Sequence, residues 1–258
     1  MVNLIPQRIN AFDSQINSMR AEPHFSVIIP TYHEESSIGN TLSSIKRAGN
    51  GHAIETIVVD GGSMDRTLDI ARRHDSRIHT LEMRGIGLAR NYGAIQSRGD
   101  ILVFLDSDTA VPENFFDELS AVFSDPLVCG ANCNVMPSQR YSPTWKEKTF
   151  YRLWGKTRKL FYHLRPCGTG DNGIIVRREA FEKAGGFNED MSTMEDLDFV
   201  FRASSQGRFL LLKSLTLTES MRRIRRKGIL RFSAIYVCNF FYYLLRKRPR
   251  ISRWEPVR

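Results

Sequence analysis

The run Ile101-Leu102-Val103-Phe104-Leu105 passes directly into Asp106-Ser107-Asp108-Thr109, and this junction limits the fold more than any other stretch of the chain. Five consecutive apolar residues read as a strand buried on both faces, the kind found in mostly parallel sheets covered by helices. Ligands of open α/β sheets bind beyond the carboxyl ends of the strands, so Asp106 and Asp108 fall where a site is expected. With one residue between them in extended chain, both carboxylates can face one side and hold a hard divalent cation that substrate phosphates also ligate. A polar turn after a strand looks the same, and D-x-D alone is too short to separate the two readings.

The preceding sequence repeats the pattern. Phe25 to Thr31 reads as a strand stopped by Pro30, and Ser36 or Ser37 can cap a helix with Ile38, Leu42 and Ile45 at helical spacing. Ile54 to Val59 is a second strand, ending in Asp60-Gly61-Gly62-Ser63-Met64-Asp65 before a helix through Leu68, Ile70 and Ala71. Ile78 to Leu81 is a short third strand, and Gly85-Ile86-Gly87-Leu88-Ala89-Arg90-Asn91 opens a helix. Its G-x-G lacks the third glycine of a dinucleotide fingerprint and does not indicate a Rossmann dehydrogenase. A helix from Pro112 follows the organising strand, and the order βαβαβαβα implies a parallel sheet with right-handed crossovers.

Further on, Val128 to Val135 reads as a strand, Cys167 to Gly173 as a flexible loop and Ile174 to Val176 as a short strand. Trp145, Phe150, Tyr151, Leu153, Trp154 and Phe161 mark an amphipathic helical region. Core packing is the preferred reading of its aromatics, and an acceptor groove is the alternative. A helix to Ala184 ends at Gly185-Gly186, and Glu195-Asp196-Leu197-Asp198 opens another with acids where the helix dipole favours them. Glu195 and Asp198 share a helical face, whereas Asp196 points about 100 degrees away from Glu195.

At 258 residues the chain fits one large α/β domain with an appendage. The net charge is +9, yet Arg222 to Arg258 holds 12 Lys or Arg against Glu255 alone, so the basic character belongs to the tail. Within it, Ile229 to Leu245 is a run of 17 residues with Arg231 as its only charge, between two basic clusters. A spanning helix needs about 20 apolar residues, and Lys and Arg at both ends argue against spanning. A helix lying at an anionic membrane surface explains the apolar run and its flanks; packing on the catalytic unit or on a dimer partner is the alternative. A nucleic-acid-binding tail is disfavoured, because lipid or protein burial explains its apolar centre better than phosphate contact does. The four cysteines show no matching Cys/His pairs, which speaks against a zinc or disulfide framework and fits a reducing cytosol. Residues 1–24 contain no apolar core of the signal-peptide kind.

Taken in order, six stretches resemble the family-2 inverting glycosyltransferases of the GT-A fold. They are Pro30-Thr31-Tyr32 with Glu34, Val58-Val59-Asp60-Gly61-Gly62-Ser63-Met64-Asp65, Gly87-Leu88-Ala89-Arg90-Asn91, Asp106-Ser107-Asp108, Gly185-Gly186-Phe187, and Glu195-Asp196. The resemblance implies an α/β nucleotide-sugar-binding domain over residues 25–220, with a mostly parallel central sheet flanked by helices. A lead-in over residues 1–24 would precede it and an amphipathic helical tail over 221–258 would follow. It further implies inverting transfer of a sugar from a UDP- or GDP-sugar, with Mg2+ or Mn2+, to a glycan or lipid-linked acceptor of the cell envelope. The expected location is cytoplasmic, peripheral on the membrane's inner face, with oligomers possible.

Carried over by residue, Pro30, Tyr32 and Glu34 would line the nucleobase and ribose pocket, and Asp60 would accept a hydrogen bond from the base. Arg90, and more weakly Arg84, would lie near the phosphates or base. Asp106 would contact the ribose or a metal-bound water, Asp108 would ligate the metal, and Asp196 would be the general base. Arg222 and Arg223 resemble an arginine pair that closes over the donor diphosphate in related transferases. A hydroxyl acceptor is a poor nucleophile until a carboxylate takes its proton. In a single inverting displacement, base and leaving group stand on opposite faces of the sugar, which suits acids drawn from separate segments. A GT-A-like nucleotidyltransferase would carry a glycine- and lysine-rich phosphate loop near its start, and Pro30-Thr31-Tyr32-His33-Glu34 is not one.

Overall fold

A computed structural model describes residues 25–49, 51–164, 173–191 and 193–246. The expected lead-in, most of the loop from Cys167 and the basic cluster after Arg246 lie outside the described residues.

Strands β1 (Phe25–Thr31), β2 (Ile54–Asp60), β3 (Arg77–Thr80) and β4 (Ile101–Phe104) alternate with helices α1 (Ile38–Ala48), α2 (Thr67–Arg72) and α3 (Ile86–Gln96). These strands are mutually parallel, β1 lying between β2 and β4, as the βα repeat requires. The chain thus runs outward from β1 through β2 to β3 and then crosses to β4 on the other side, which makes the β1/β4 boundary the topological switch point. β1 runs through Pro30 instead of stopping there. Leu105 N donates to Ile28 O at 3.1 Å, so Ile28 and, two residues on, Pro30 face β4, whose ladder with β1 has ended at Ile28 and Phe104. A missing N–H costs nothing at that position, and beyond it the two strands part to form a crevice.

The second half turns the sheet mixed. β7 (Ile174–Arg177) runs antiparallel to both β4 and β6 (Val128–Pro137), while β8 (Arg208–Glu219) runs parallel to β6. The two-residue β5 (Thr109–Ala110) pairs antiparallel with the end of β8, placing Thr109 opposite Glu219. The described strands form one sheet in the order β3-β2-β1-β4-β7-β6-β8-β5.

Both faces are buried, as the unbroken apolar run of β4 implies. Val27, Ile29, Val103 and Leu105 pack with α1 and with Phe115, Phe116 and Leu119 of α4 (Phe115–Phe123). Ile28, Leu102 and Phe104 face the other way, onto Phe181 of α6 (Arg178–Lys183), Phe187, and Phe199 of α7 (Glu195–Ala203). Helix α5 (Trp145–Leu164) crosses this half of the molecule, and α8 (Arg222–Lys227) and α9 (Ile229–Arg246) close the described chain.

The aromatics of α5 are not uniformly core. Tyr151 is buried, but Trp145 is 72% exposed and Leu153 59% exposed, which corrects the core-packing reading for those two residues. Helix α9 buries one face, through Asn239 and Tyr243, and leaves Leu230, Val237, Phe241 and Leu245 in solvent. Tyr243 packs with Met191, Met194 and Leu197 at the start of α7, so the inner face of the tail does pack on the sheet domain. Among the described residues, no helix is long and apolar enough to cross a membrane.

Candidate active site

The end of β4 is fixed by α1. Thr41 Oγ1 donates to Ser107 O at 2.9 Å, and Val111 N donates to Ser44 Oγ at 3.1 Å, both in buried surroundings. Ser107 therefore points its backbone inward while Asp106 and Asp108 stand half-buried at the crevice. Asp108 Oδ2 receives Arg222 Nη2 at 3.2 Å, and the same Nη2 reaches Glu34 Oε2 at 2.6 Å. Glu34 is also held by Ser37 Oγ at 2.5 Å. Burial pushes both carboxyls up from their ordinary values, with Asp106 adding to the effect at Asp108; Arg222 opposes it at both, and Arg223 at Asp108. The first strand, the D-x-D turn and the first residue of α8 thus meet at one point.

A second arginine ties that point to Glu195, the residue before the expected base. Arg90 on α3 is buried; its Nη2 donates to Asp106 Oδ1 and its Nη1 to Glu195 Oε1, each at 3.0 Å, with Phe187 stacked 5.1 Å away. Sequence had put Arg90 near the phosphates or base. The structure makes it a bridge between two carboxylate segments. The next residue completes the link: Asn91 Nδ2 donates to Phe187 O at 2.9 Å and Phe187 N donates to Asn91 Oδ1 at 2.8 Å. Gly186 is required beside it, because its φ is +68° and a Cβ there would stand 2.7 Å from Asn91 Oδ1. The Arg90-Asn91 and Gly185-Gly186-Phe187 stretches are therefore two halves of one contact.

Of the three acids opening α7, each has a different environment. Glu195 is buried against Arg90, and burial together with neighbouring Asp196 pushes its carboxyl up to about 7. Asp198 accepts from Arg202 Nε at 2.8 Å and from the Tyr243 hydroxyl at 2.8 Å. Asp196 is half-buried, accepts from Leu197 N at 2.7 Å, and is raised by burial against the opposing charge of Arg90. The partition matches the helical phases: the two acids on one face pair with protein, and the third is set apart. Met194 just before them takes the left-handed conformation, φ 63°, while buried, a strained entry that the surrounding packing must hold.

The remaining expected residues form a separate cluster at β2. Asp60 is fully buried and turned onto its own loop, Oδ2 accepting from Gly62 N at 2.9 Å and Ser63 N at 2.8 Å, with Ser63 Oγ on Oδ1. Ser63 Oγ in turn accepts from His33 N at 2.8 Å, at a His33 φ of 55°. Arg84 lies 4.1 Å over the ring of Tyr32, so these two expected pocket residues do meet, as a cation–π pair. Arg223, the second residue of α8, is exposed.

The residues fit a divalent cation of the kind that nucleotides bring with them. Among the described residues, no group of three or more His, Cys, Asp or Glu could hold an ion unaided. Asp108, with Asp106, offers hard oxygen donors in the number that Mg2+ and its kin take from protein when phosphates and water supply the rest.

Residues 26–185 match the model of glycosyl transferase family 2. The chain is 29% identical over 204 residues to the glycosyltransferase AglE of Haloferax volcanii, covering 72% of this chain and 62% of that one. It therefore spans less than two thirds of that relative. In structure it is similar to glucosyl-3-phosphoglycerate synthase from Mycobacterium tuberculosis in complex with Mn2+, UDP and phosphoglyceric acid, with TM-score 0.62, 18% identity and coverage of 89% and 81%. It is also similar to the mannosyltransferase PcManGT from Pyrobaculum calidifontis in complex with GDP-Man and Mn2+, with TM-score 0.59, 23% identity and coverage of 84% and 64%. The sheet with its switch-point crevice is thus the GT-A fold, and the chain is a member of glycosyl transferase family 2.

Proposed function

We propose that this chain catalyses metal-dependent, inverting transfer of a sugar from a UDP- or GDP-sugar to a lipid-linked or cell-envelope acceptor. The observation that carries the reading is the Arg90 bridge, which sets the D-x-D carboxylates and the Glu195-Asp196 pair around one crevice at the switch point. In the reaction the acceptor oxygen attacks the anomeric carbon while the bond from that carbon to the diphosphate breaks, its electron pair leaving with the nucleoside diphosphate. The hydroxyl proton passes to Asp196, whose raised affinity for protons suits a base. Asp108, with Asp106, would hold Mg2+ or Mn2+, which when bound offsets the charge growing on the leaving diphosphate. Arg222 and Arg223 add positive charge on the same side. Pro30, Tyr32, Glu34, Asp60 and Arg84 form the base and ribose wall, and Arg90 acts as a positioning residue.

Residues 25–220 serve as the transferase unit and 221–258 as its appended tail, which brings the enzyme to an anionic membrane surface on the cytoplasmic side. The basic, acid-free sequences of α8 and α9 support that placement. A panel of UDP-, GDP- and dTDP-sugars in thermal shift, with and without Mn2+, tests the donor reading. A shift with one nucleotide, present in Mn2+ and lost in EDTA, is expected; no shift with any donor would sink it.

A further inference from the structure

Helices α5 and α9 leave between them an open apolar trough of about 690 Å3, walled by Trp145, Phe150, Leu153, Trp154, Leu160 and Val237. Trp145, Leu153 and Leu160 recur along one side of α5 and are 72%, 59% and 60% exposed. On α9, Val237 lines the trough together with Ile229 and Ser233, while Leu230, Phe241 and Leu245 are exposed outside its lining. A contiguous apolar surface of this kind marks a binding site more often than an idle face.

Two further features say what kind of ligand fits. Lys146 and Lys156 stand in the trough's wall, and Glu147, the one acidic residue on α5, α8 and α9, is turned inward onto Arg225 at 2.7 Å. The site thus offers apolar walls and positive charge without a competing acid, the complement of an apolar chain with an anionic head. The trough adjoins a second cavity. It shares Phe150 and Trp154 with a smaller cavity of about 70 Å3 that reaches Tyr151 and Glu219. Tyr151 donates to Glu219 at 2.7 Å, and Glu219 stands in register with Thr109, the residue after Asp108.

We propose that the α5–α9 trough binds the apolar chain of a lipid-linked acceptor, with its anionic head at Lys146 and Lys156. This rests on the reading of the chain as a transferase with a lipid-linked acceptor. A concave channel between two helices fits one chain, whereas a bilayer surface is met by a convex face.

The probe is dodecyl phosphate carrying a nitroxide at the chain end, used below its micellar concentration, with Trp145 and Trp154 as fluorescent reporters. Saturable quenching is expected, competed by farnesyl phosphate and not by inorganic phosphate. The double variant Leu153→Gln, Val237→Gln should weaken it about tenfold while the melting-temperature shift with donor and Mn2+ stays as in the parent. Equal quenching in the double variant overturns the proposal. So does binding to phosphatidylglycerol vesicles without any binding of the monomeric probe, which would make this a bilayer-docking face. A dimer by light scattering that the double variant dissociates would assign the trough to a second copy of the chain. Absence of any donor shift in the parent protein defeats the transferase reading itself, and with it the assignment of the bound chain as an acceptor.

Discussion

The hydroxyl of Tyr243, near the end of α9, donates to Asp198 Oδ1 at 2.8 Å, two residues beyond Asp196. The tail is therefore fastened to the helix that carries the expected base, and its ring is buried against Met191, Met194 and Leu197 beside the strained backbone of Met194. Tyr243→Phe keeps the ring and removes one hydrogen bond to a carboxylate, so stability should fall by about 1–2 kcal/mol. If the tail positions the base, turnover falls while KM for the donor is unchanged. A purely structural bond would lower the melting temperature alone, so kinetics and melting measured together decide.

Asp196→Asn preserves shape but cannot accept a proton. Turnover with a hydroxyl acceptor should fall by roughly 10²–10⁴-fold with donor affinity little changed. Asp198→Asn should act more mildly, through the loosened contacts to Arg202 and Tyr243. Initial rates for the two variants side by side check the assignment. Full activity in Asp196→Asn with a lipid phosphate would point to an acceptor that is already an anion and needs no base.

Asp108→Asn should keep the fold, since the turn's backbone is held by Thr41 and Ser44 through bonds that do not use the Asp108 side chain. It should abolish the Mn2+-dependent part of the donor's thermal shift. Calorimetry of nucleotide binding with and without EDTA reads this directly, and equal affinities in all four combinations would remove Asp108 from the metal site.

Glu147 joins the start of α5 to α8 through Arg225 Nε at 2.7 Å and caps α5 by accepting from Thr144 N at 2.7 Å. The Arg225 hydrogen bond, with those from Thr144, pulls its carboxyl down to about 2 in the folded protein, from 4.5. A carboxyl depressed on folding contributes stability above its unfolded value and loses it as pH falls through the folded one. Glu147→Gln should therefore be less stable by about 1–2 kcal/mol at pH 6, allowing for solvent around the half-exposed Arg225. The gap should close between about pH 4.5 and 2. Chemical denaturation across that range measures it.

Local physics carried most of the first half of the fold. Strands β2 and β4 run into Asp, Gly and Ser, β1 carries Pro30 near its end, and helices follow at a period of 3.6 residues, so β1 to β4, the parallel order and the placing of Asp106 and Asp108 were legible from residues close in sequence. So were the differing phases of Glu195, Asp196 and Asp198, because a helix fixes side-chain direction by itself. What escaped was non-local. Strand β8 passed unnoticed although Leu215-Thr216-Leu217-Thr218 alternates at strand period, and the short β5 exists only because β8 is there to pair with it. The bridge from Arg90 to Glu195 spans 105 residues, and no local pattern distinguishes an arginine that meets a phosphate from one buried between two carboxylates. Likewise the spacing of the α5 aromatics shows an apolar face but not what covers it. Burial depends on which other elements the fold brings up, and among the described residues none covers Trp145 and Leu153. Sequence determined most of the elements and the acids' directions, and tertiary structure decided which of the charges are paired within the protein.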